Sequence, residues 1–403
     1  MKVLLLSQFY PPEMEPSGFM VSSLSHYLAS EGDDVQVLCG FANFPQGKFY
    51  SKKWYQLFKR IDDKGVKVLN VFVIPSDNTS NIKRIINYIS YFISSLFAGL
   101  FVKRPEVIIA TSPPMLTALT GLLLSKIYRC KFILDIRDIW PESAKQMGNL
   151  KAPIIIKTLE YLEKSLYEHA HSITVATPGM IKIIEEKLNG NNKNISFIPC
   201  GVEIPDNDRA SRNPFDHEDR EKFCVLYAGL HGHAQGLITL LETAKRLEYC
   251  NDIVFYLIGD GPEKEILKRQ SEDLKNINVK FKDPVSKNEI RDFYDYAGCA
   301  IVPLLNLEVF NSVFPSKTFE LMSYGTPTVV GVGGEIARFV ETTQSGLSVL
   351  PEDIESYCNG ILRYYQDSEF RSVIMQNAKN TAKEYFDYKV TNSQFKSIID
   401  NFE

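Results

Sequence analysis

The residues with the most obvious capacity for chemistry lie in NSVFPSKTFELMSYGTPTVVGVGG, from Asn311 to Gly334. Lys317 and Glu320 stand three residues apart at the start of an expected helix. A Gly-Thr-Pro turn, a β-branched strand (Thr328, Val329, Val330) and a glycine-rich loop follow. A helix N-terminus presents unpaired backbone N–H groups and partial positive charge, which suit phosphate. Lys317 can add a point charge there. Glu320 cannot attract phosphate, but a carboxylate accepts two hydrogen bonds and a ribose diol supplies two. Together they suggest a nucleoside diphosphate site. An ordinary strand–helix–strand unit with a solvated Lys/Glu pair accounts for this segment equally well.

Two further glycine-rich segments follow apolar runs. In YAGLHGHAQGL, Tyr227 to Leu237, Gly229 and Gly232 let backbone amides approach a diphosphate, with Gln235 just before a helix. In IGDGPEKEIL, Ile258 to Leu267, Gly259 and Gly261 permit a sharp turn around Asp260. A plain tight strand-to-helix turn is the alternative for each. DIRDIWPES, Asp135 to Ser143, ends another apolar run with two aspartates, an arginine, a tryptophan and a glutamate. A hydroxyl nucleophile needs a base within hydrogen-bond reach. Asp138 is the first choice and Glu142 the second. Arg137 is expected to pair with Asp138 and lower its pKa, or to touch a phosphate. A structural ion pair at a strand end is the competing reading. FYPPEMEPSG, Phe9 to Gly18, puts Gly18 at a helix start, with Glu15 just before it. The acidic triplet Asp206-Asn207-Asp208 lies in a polar stretch rather than at a strand end, so it is discounted as a metal site.

Elements that could position these residues alternate along the chain. KVLLLS, DVQVLCG, GVKVLNVFVI, EVIIATS, KFILDIR, HSITVAT and NISFIPCGV read as strands, with helical spacing between many of them. The polar run from Pro205 to Glu221 reads as a linker. FCVLYAG, DIVFYLIGDG, NVKFKD, CAIVPLL and TPTVVGV follow as a second set of strands. The alternation predicts α/β architecture with two Rossmann-like, doubly wound sheets. The expected boundaries are 1–204, 205–384 and a C-terminal helix over 385–403. Ligands of such sheets bind beyond the strand carboxyl ends at a switch point. In a two-domain form this places the site in a cleft.

Bulk properties narrow the class. The chain has 403 residues, 44% of them hydrophobic, and a net charge of −4. That charge argues against nucleic acid as a partner. Seven dispersed cysteines with no C-x-x-C pair indicate reduced thiols and a cytoplasmic setting. The short apolar run at the N-terminus reads as a strand and not as a signal peptide. Ile85 to Val102 is uncharged and flanked by Lys83, Arg84, Lys103 and Arg104. As a helix it would be about 27 Å long. Strands of one sheet on both sides of it argue against spanning a membrane. Two readings stay open: a core helix, or a helix lying in the inner face of the plasma membrane, with Tyr88 and Tyr91 as interfacial residues.

These segments, in this order over nearly the whole chain, resemble GT-B glycosyltransferases of family four. The similarity is strongest to bacterial O-antigen, colanic-acid and N-acetyl-L-fucosamine transferases, which ANFPQGKFY (Ala42 to Tyr50) and the PSK triplet also resemble. The resemblance implies two Rossmann-like domains, a UDP-sugar donor and an undecaprenyl-diphosphate-linked saccharide acceptor at a membrane surface. It also implies no metal and retention at the anomeric carbon. The implied donor-site residues are Gly18, Gly229, Gly232, Gln235, Gly259, Asp260, Gly261, Lys317 and Glu320. The implied catalytic residues are Asp138, Arg137 and Glu142. The sequence departs from the family pattern at three positions: Leu230 and Gln235 stand where an arginine and a lysine are usual, and Ser312 stands where a first glutamate is usual. The alternatives are a GT-B nucleotide-sugar epimerase and a non-catalytic subunit of a membrane assembly.

Overall fold

The computed structural model describes residues 1–13, 15–44, 47–50, 56–76, 81–146, 152–190, 193–205 and 211–402. Asp206-Asn207-Asp208 lies outside the described residues. The chain divides into two compact units, Met1–Gly201 with Tyr388–Glu403, and Val202–Asp387. The first boundary falls before the polar run. The described part of that run belongs to the second unit, where Phe215 is buried against the rings of Tyr256 and Phe293.

In the first unit the strands are β1 (Lys2–Leu6), β2 (Asp34–Gly40), β3 (Phe58–Asp63), β4 (Val66–Val71), β5 (Val107–Ser112), β6 (Lys131–Ile136), β7 (Ser172–Val175) and β8 (Asn194–Phe197). They form an eight-stranded sheet in the order β3-β4-β2-β1-β5-β6-β7-β8. All neighbours are parallel except β3 and β4. The sequence reading missed β3, because FKRIDD is polar and its face is open. The turn is nonetheless legible: Lys64 (φ +54°) and Gly65 (φ +89°) form the two-residue, positive-φ connection that suits a hairpin's twist. Helices α1 (Pro16–Ser30), α2 (Asn81–Gly99), α3 (Met115–Tyr128), α4 (Glu142–Gln146), α5 (Pro153–His169) and α6 (Pro178–Lys187) connect the strands.

The second unit contains β9 (Phe223–Ala228), β10 (Ile253–Ile258), β11 (Val279–Lys282), β12 (Cys299–Pro303), β13 (Thr328–Gly331) and β14 (Leu347–Ser348). Their order is β11-β10-β9-β12-β13-β14, with parallel neighbours throughout. Its helices are α7 (Ile238–Arg246), α8 (Lys264–Asp273), α9 (Lys287–Tyr296), α10 (Ser316–Tyr324), α11 (Glu335–Thr343), α12 (Ile354–Gln366) and α13 (Ser368–Thr381). The last helix, α14 (Tyr388–Asp400), belongs to the first unit and buries Phe395, Ile398 and Ile399 there.

Both sheets are covered on both faces, which is why their strands read as unbroken apolar runs. Along β1, Leu4 and Leu6 join one core while Val3 and Leu5 join the other. Along β10, Ile253, Phe255 and Leu257 face one core, and Val254, Tyr256 and Ile258 face the other. A pleated strand sends successive side chains to opposite faces, so one apolar strand serves two cores.

Helix α2 has an unusual distribution of side chains. Its inner side buries Asn87, Tyr91 and Ser95. The Tyr91 hydroxyl donates to Ser7 O and Leu38 O at 3.0 and 2.9 Å, so Tyr91 is a buried anchor and not an interfacial residue. Its outer side exposes Ile82, Ile85, Ile86, Ile89, Ile93 (61% exposed) and Phe97 (66% exposed), with Phe101 just beyond. No helix among the described residues is long and apolar enough to cross a membrane.

Candidate functional site

In the second unit the chain runs from β9 through β10 to β11 and then returns to the other side of β9 as β12. The switch point therefore lies between β9 and β12, flanked by the loops that follow them. A backbone hydrogen bond joins these loops, Leu305 N–H to Ala234 O at 2.9 Å. Helices α7, α10 and α11 each begin at this edge of the sheet, because each follows a parallel strand. Leu237, Pro315 and Gly334 occupy their N-cap positions, and none provides a side-chain cap. Three helix ends with positive character thus gather at one sheet edge.

The glycines hold these loops close together. The segment after β9 lies over the turn after β10, with Gly229 N–H bonded to Ile258 O (3.0 Å) and His231 N–H to Asp260 O (2.8 Å). A Cβ on Gly259 would sit 1.9 Å from Gly229 O, and one on Gly261 would sit 2.4 Å from His231 O. These two glycines are therefore required by close backbone approach within the fold. Asp260 is exposed and accepts from Gly261 N–H at 2.8 Å. A Cβ on Gly232 would meet Gln235 Oε1 at 2.9 Å; that oxygen is buried without a partner among the described residues.

Lys317 and Glu320 lie on one side of α10, one turn apart. Lys317 Nζ donates to Glu320 Oε2 at 2.7 Å and to the Tyr294 hydroxyl at 3.1 Å. Burial opposes the Lys317 charge, but Tyr294 and Glu320 outweigh it and hold the ammonium protonated. The pair places a cation and a carboxylate beside an uncapped helix start. Ser312 Oγ donates to Val309 O at 3.3 Å, a bond within its own turn.

Two residues matter here that the sequence reading left without a role. Lys264 is buried, and its Nζ bonds Gly259 O (2.8 Å), Asp283 Oδ1 (2.7 Å) and Lys282 O (3.4 Å). It ties the turn after β10 to the loop after β11. His231 is 0% exposed, between the rings of Tyr227 and Phe281, and both ring nitrogens lack partners among the described residues. Burial, aided by the Lys264 charge, pulls its pKa down to about 4, so it stands as a neutral packing residue. Leu230 is 60% exposed at the position where the family pattern has an arginine.

In the first unit the switch point lies between β1 and β5. Gly18, in the first turn of α1, packs on the loop after β1; its Cβ would lie 3.2 Å from Phe9 C and Tyr10 N. Glu15 is the N-cap of α1 and accepts from Ser17 N–H at 2.7 Å. The expected Arg137–Asp138 pair is not formed. Arg137 makes a two-pronged pair with Asp135, through Nε at 2.8 Å and through Nη2, and it also donates to Ile198 O at 3.0 Å. The strand ends at Ile136 and the chain bends at Arg137 and Asp138, so the guanidinium folds back onto Asp135 rather than onto its neighbour. Asp138 accepts from the Ser143 hydroxyl at 2.8 Å. Its pKa is raised by burial, against the lowering from Ser143 and the Ile139 N–H, which is opposite to the expected direction. A small internal cavity beside Asp138 is lined by Trp140, Glu163 and Tyr167 among others. Glu142 is at the surface, bonded to Lys145 Nζ at 2.9 Å.

Comparison with known proteins gives this geometry a context. Residues 17–201 match the family described as glycosyl transferase 4-like domain, and residues 209–381 match glycosyl transferases group 1. The chain is 25% identical over 400 residues to Escherichia coli (strain K12) WcaI, named as a colanic acid biosynthesis glycosyl transferase, covering 94% of this chain and 96% of that one. It is 25% identical over 264 residues to the Pseudomonas aeruginosa protein WbjE, named as a glycosyltransferase, covering 62% and 64%. Among solved structures, sucrose-phosphate synthase from Thermosynechococcus elongatus superposes with a TM-score of 0.77 at 15% identity, over 99% of this chain and 98% of that one. Anabaena HepE in complex with UDP superposes with a TM-score of 0.69 at 17% identity over 100% of both chains. The fold is GT-B. With a glycosyl transferase 4-like domain over the first unit and a group 1 glycosyl transferase domain over the second, the chain is a sugar-transferring enzyme.

Proposed function

We propose that this glycosyltransferase takes a UDP-sugar in its second unit and passes the sugar to an undecaprenyl-diphosphate-linked saccharide in bacterial surface polysaccharide synthesis. N-acetyl-L-fucosamine or a related N-acetylated sugar is the proposed donor sugar. The observation that carries this reading is the edge of the second sheet, where three helix starts without side-chain caps flank a switch point that also holds Lys317 and Glu320. The names of WcaI and the UDP complex of HepE support it.

In the reaction, the acceptor hydroxyl oxygen bonds to the anomeric carbon while the bond from that carbon to the phosphate oxygen breaks. UDP leaves with the electron pair, and the hydroxyl proton passes to a base. Helix starts and Lys317 would stabilise charge on the departing diphosphate. Glu320, freed from Lys317, would take the ribose diol. Asp138 is the proposed acceptor-side base, supported by its place beyond β6 and its raised pKa. The apolar outer side of α2 would rest on the inner membrane leaflet, where a lipid-linked acceptor resides.

Calorimetry with UDP, GDP and ADP tests the donor. Selective UDP binding is expected, and Glu320→Ala should weaken it by about 1–3 kcal/mol through lost charged hydrogen bonds. Unchanged UDP affinity in the variant removes Glu320 from the site. No nucleotide binding at all by the wild type refutes the donor reading.

A further inference from the structure

The loops after β1 and β2 carry two of the motifs noted above, and one buried carboxylate joins them. Glu13 is 1% exposed. Its Oε1 accepts from two successive backbone N–H groups, Asn43 at 2.8 Å and Phe44 at 2.9 Å, and from Asn43 Nδ2 at 3.4 Å. Its Oε2 is buried with no partner among the described residues. The seam continues through Asn43, whose Oδ1 accepts from Ser76 N–H at 3.1 Å. Beside it, Gln8 Nε2 donates to Asn87 Oδ1, and Asn87 Nδ2 donates to Ile74 O at 2.7 Å. Four segments are thus joined by buried polar side chains: the loops after β1, β2 and β4, and the inner side of α2.

A buried carboxylate is costly, and an apolar residue would close this turn more cheaply. What Glu13 supplies, and an apolar residue cannot, is one acceptor oxygen for two adjacent N–H groups, which pins the backbone at Asn43–Phe44. The pinned loop presents material suited to a saccharide on a lipid diphosphate. The Phe44 ring lies 5.9 Å from the Phe9 ring of the first loop, Lys48 is exposed, and Tyr50 is 39% exposed with its hydroxyl on Phe44 O at 2.8 Å. Phe9 and Phe44 offer apolar faces, and Lys48 offers a cation. Both loops leave the carboxyl ends of their strands, and the first leaves at the switch point.

We propose that Glu13 is a positioning residue for the acceptor, latching the loop after β2 onto the loop after β1 so that Phe44, Lys48 and Tyr50 face the incoming lipid-linked saccharide. This rests on the reading above that Asp138 of the first unit is the acceptor-side base, which puts the acceptor on this unit.

Two variants of the full chain and two readouts test it. Hydrogen exchange over peptides spanning 41–50 reports the latch. Glu13→Ala should speed exchange there about tenfold or more, the effect of losing charge-assisted bonds of at least ~1.5 kcal/mol. Glu13→Gln keeps an acceptor oxygen and should stay within about threefold of the wild type. Fluorescence-detected binding of undecaprenyl-diphosphate N-acetylglucosamine in detergent micelles reports the role. Glu13→Ala should weaken it about tenfold, Glu13→Gln should restore it, and UDP affinity should stay unchanged in both. If Glu13→Ala fails to fold, Glu13→Asp, one methylene too short to reach both N–H groups, takes its place with the same expectation. Wild-type exchange rates in the alanine variant overturn the latch. Wild-type affinity for the probe in that variant overturns the positioning role. A wild type that leaves the probe unbound while still binding UDP sinks the acceptor reading and the positioning role with it, and leaves the donor reading standing.

Discussion

At the scale of single residues, neighbours decide what a side chain is available to do. Asp138 braces Ser143 and carries a raised pKa, so it has a structural occupation and a proton-accepting character together. Asp138→Asn keeps an oxygen for Ser143 and removes the base. Turnover is expected to fall about 100-fold or more, the usual scale for general-base loss, with UDP affinity and melting temperature unchanged. A fall in melting temperature that accounts for the lost turnover makes Asp138 a brace only. His231 yields a pH prediction. Its folded pKa of about 4 lies below the ordinary 6.5, so its contribution to stability is complete above about pH 6.5 and is lost as pH falls toward 4. Replacing it as His231→Leu removes that loss. The stability difference between variant and wild type should move by about 2 kcal/mol in the variant's favour between pH 7.5 and pH 4.5. Glu13, pushed up to about 7 by burial, titrates nearby in pH but is common to both proteins and cancels. A pH-independent difference means that His231 is not held neutral.

At the scale of elements, the glycines of the second unit differ in kind although they look alike in sequence. A Cβ at Gly229 would first meet the Tyr227 hydroxyl, 3.1 Å away at the end of a side chain. A Cβ at Gly259 would strike backbone, Gly229 O, at 1.9 Å. Gly259→Ala must therefore part the loop after β9 from the turn after β10. It should cost about 3 kcal/mol or more and abolish nucleotide binding, whereas Gly229→Ala should cost about 1 kcal/mol. Thermal melts with and without UDP check both, and equal losses would mean that the two loops are not held as described. The Arg137 result belongs to this scale too: the chain bends where β6 ends, which lets Arg137 fold back to Asp135 and leaves Asp138 to Ser143.

At the scale of the molecule, α2 bears on where the enzyme works. Its Tyr91 and Asn87 hydrogen-bond inward while its isoleucines and Phe97 face outward, a distribution that fits the proposed rest on a lipid surface. Ile89→Ser, Ile93→Ser and Phe97→Ser combined should abolish co-sedimentation with anionic phospholipid vesicles. Each removes about 1.5–3 kcal/mol of burial available at a lipid surface. The inner anchors Asn87 and Tyr91 are untouched, so the circular dichroism spectrum should not change. Continued sedimentation of the triple variant would rule out the outer side of α2 as the membrane contact.

Much of this was legible in the chain itself. Apolar runs separated by helical spacing announced parallel sheets covered on both faces, because burial of both faces leaves no polar alternation in a strand. The order of the glycine-rich segments, the PSK triplet and Glu320 announced the family. Tertiary structure decided what depends on partners far apart in sequence. No local pattern shows that Glu13 will meet Asn43 and Phe44, that Lys264 will join two loops, or that Tyr91 will point inward while Ile93 points out. Sequence spacing sets which side chains share a face of one element. Which face is covered, and which polar atom finds which partner, is settled only when the elements pack.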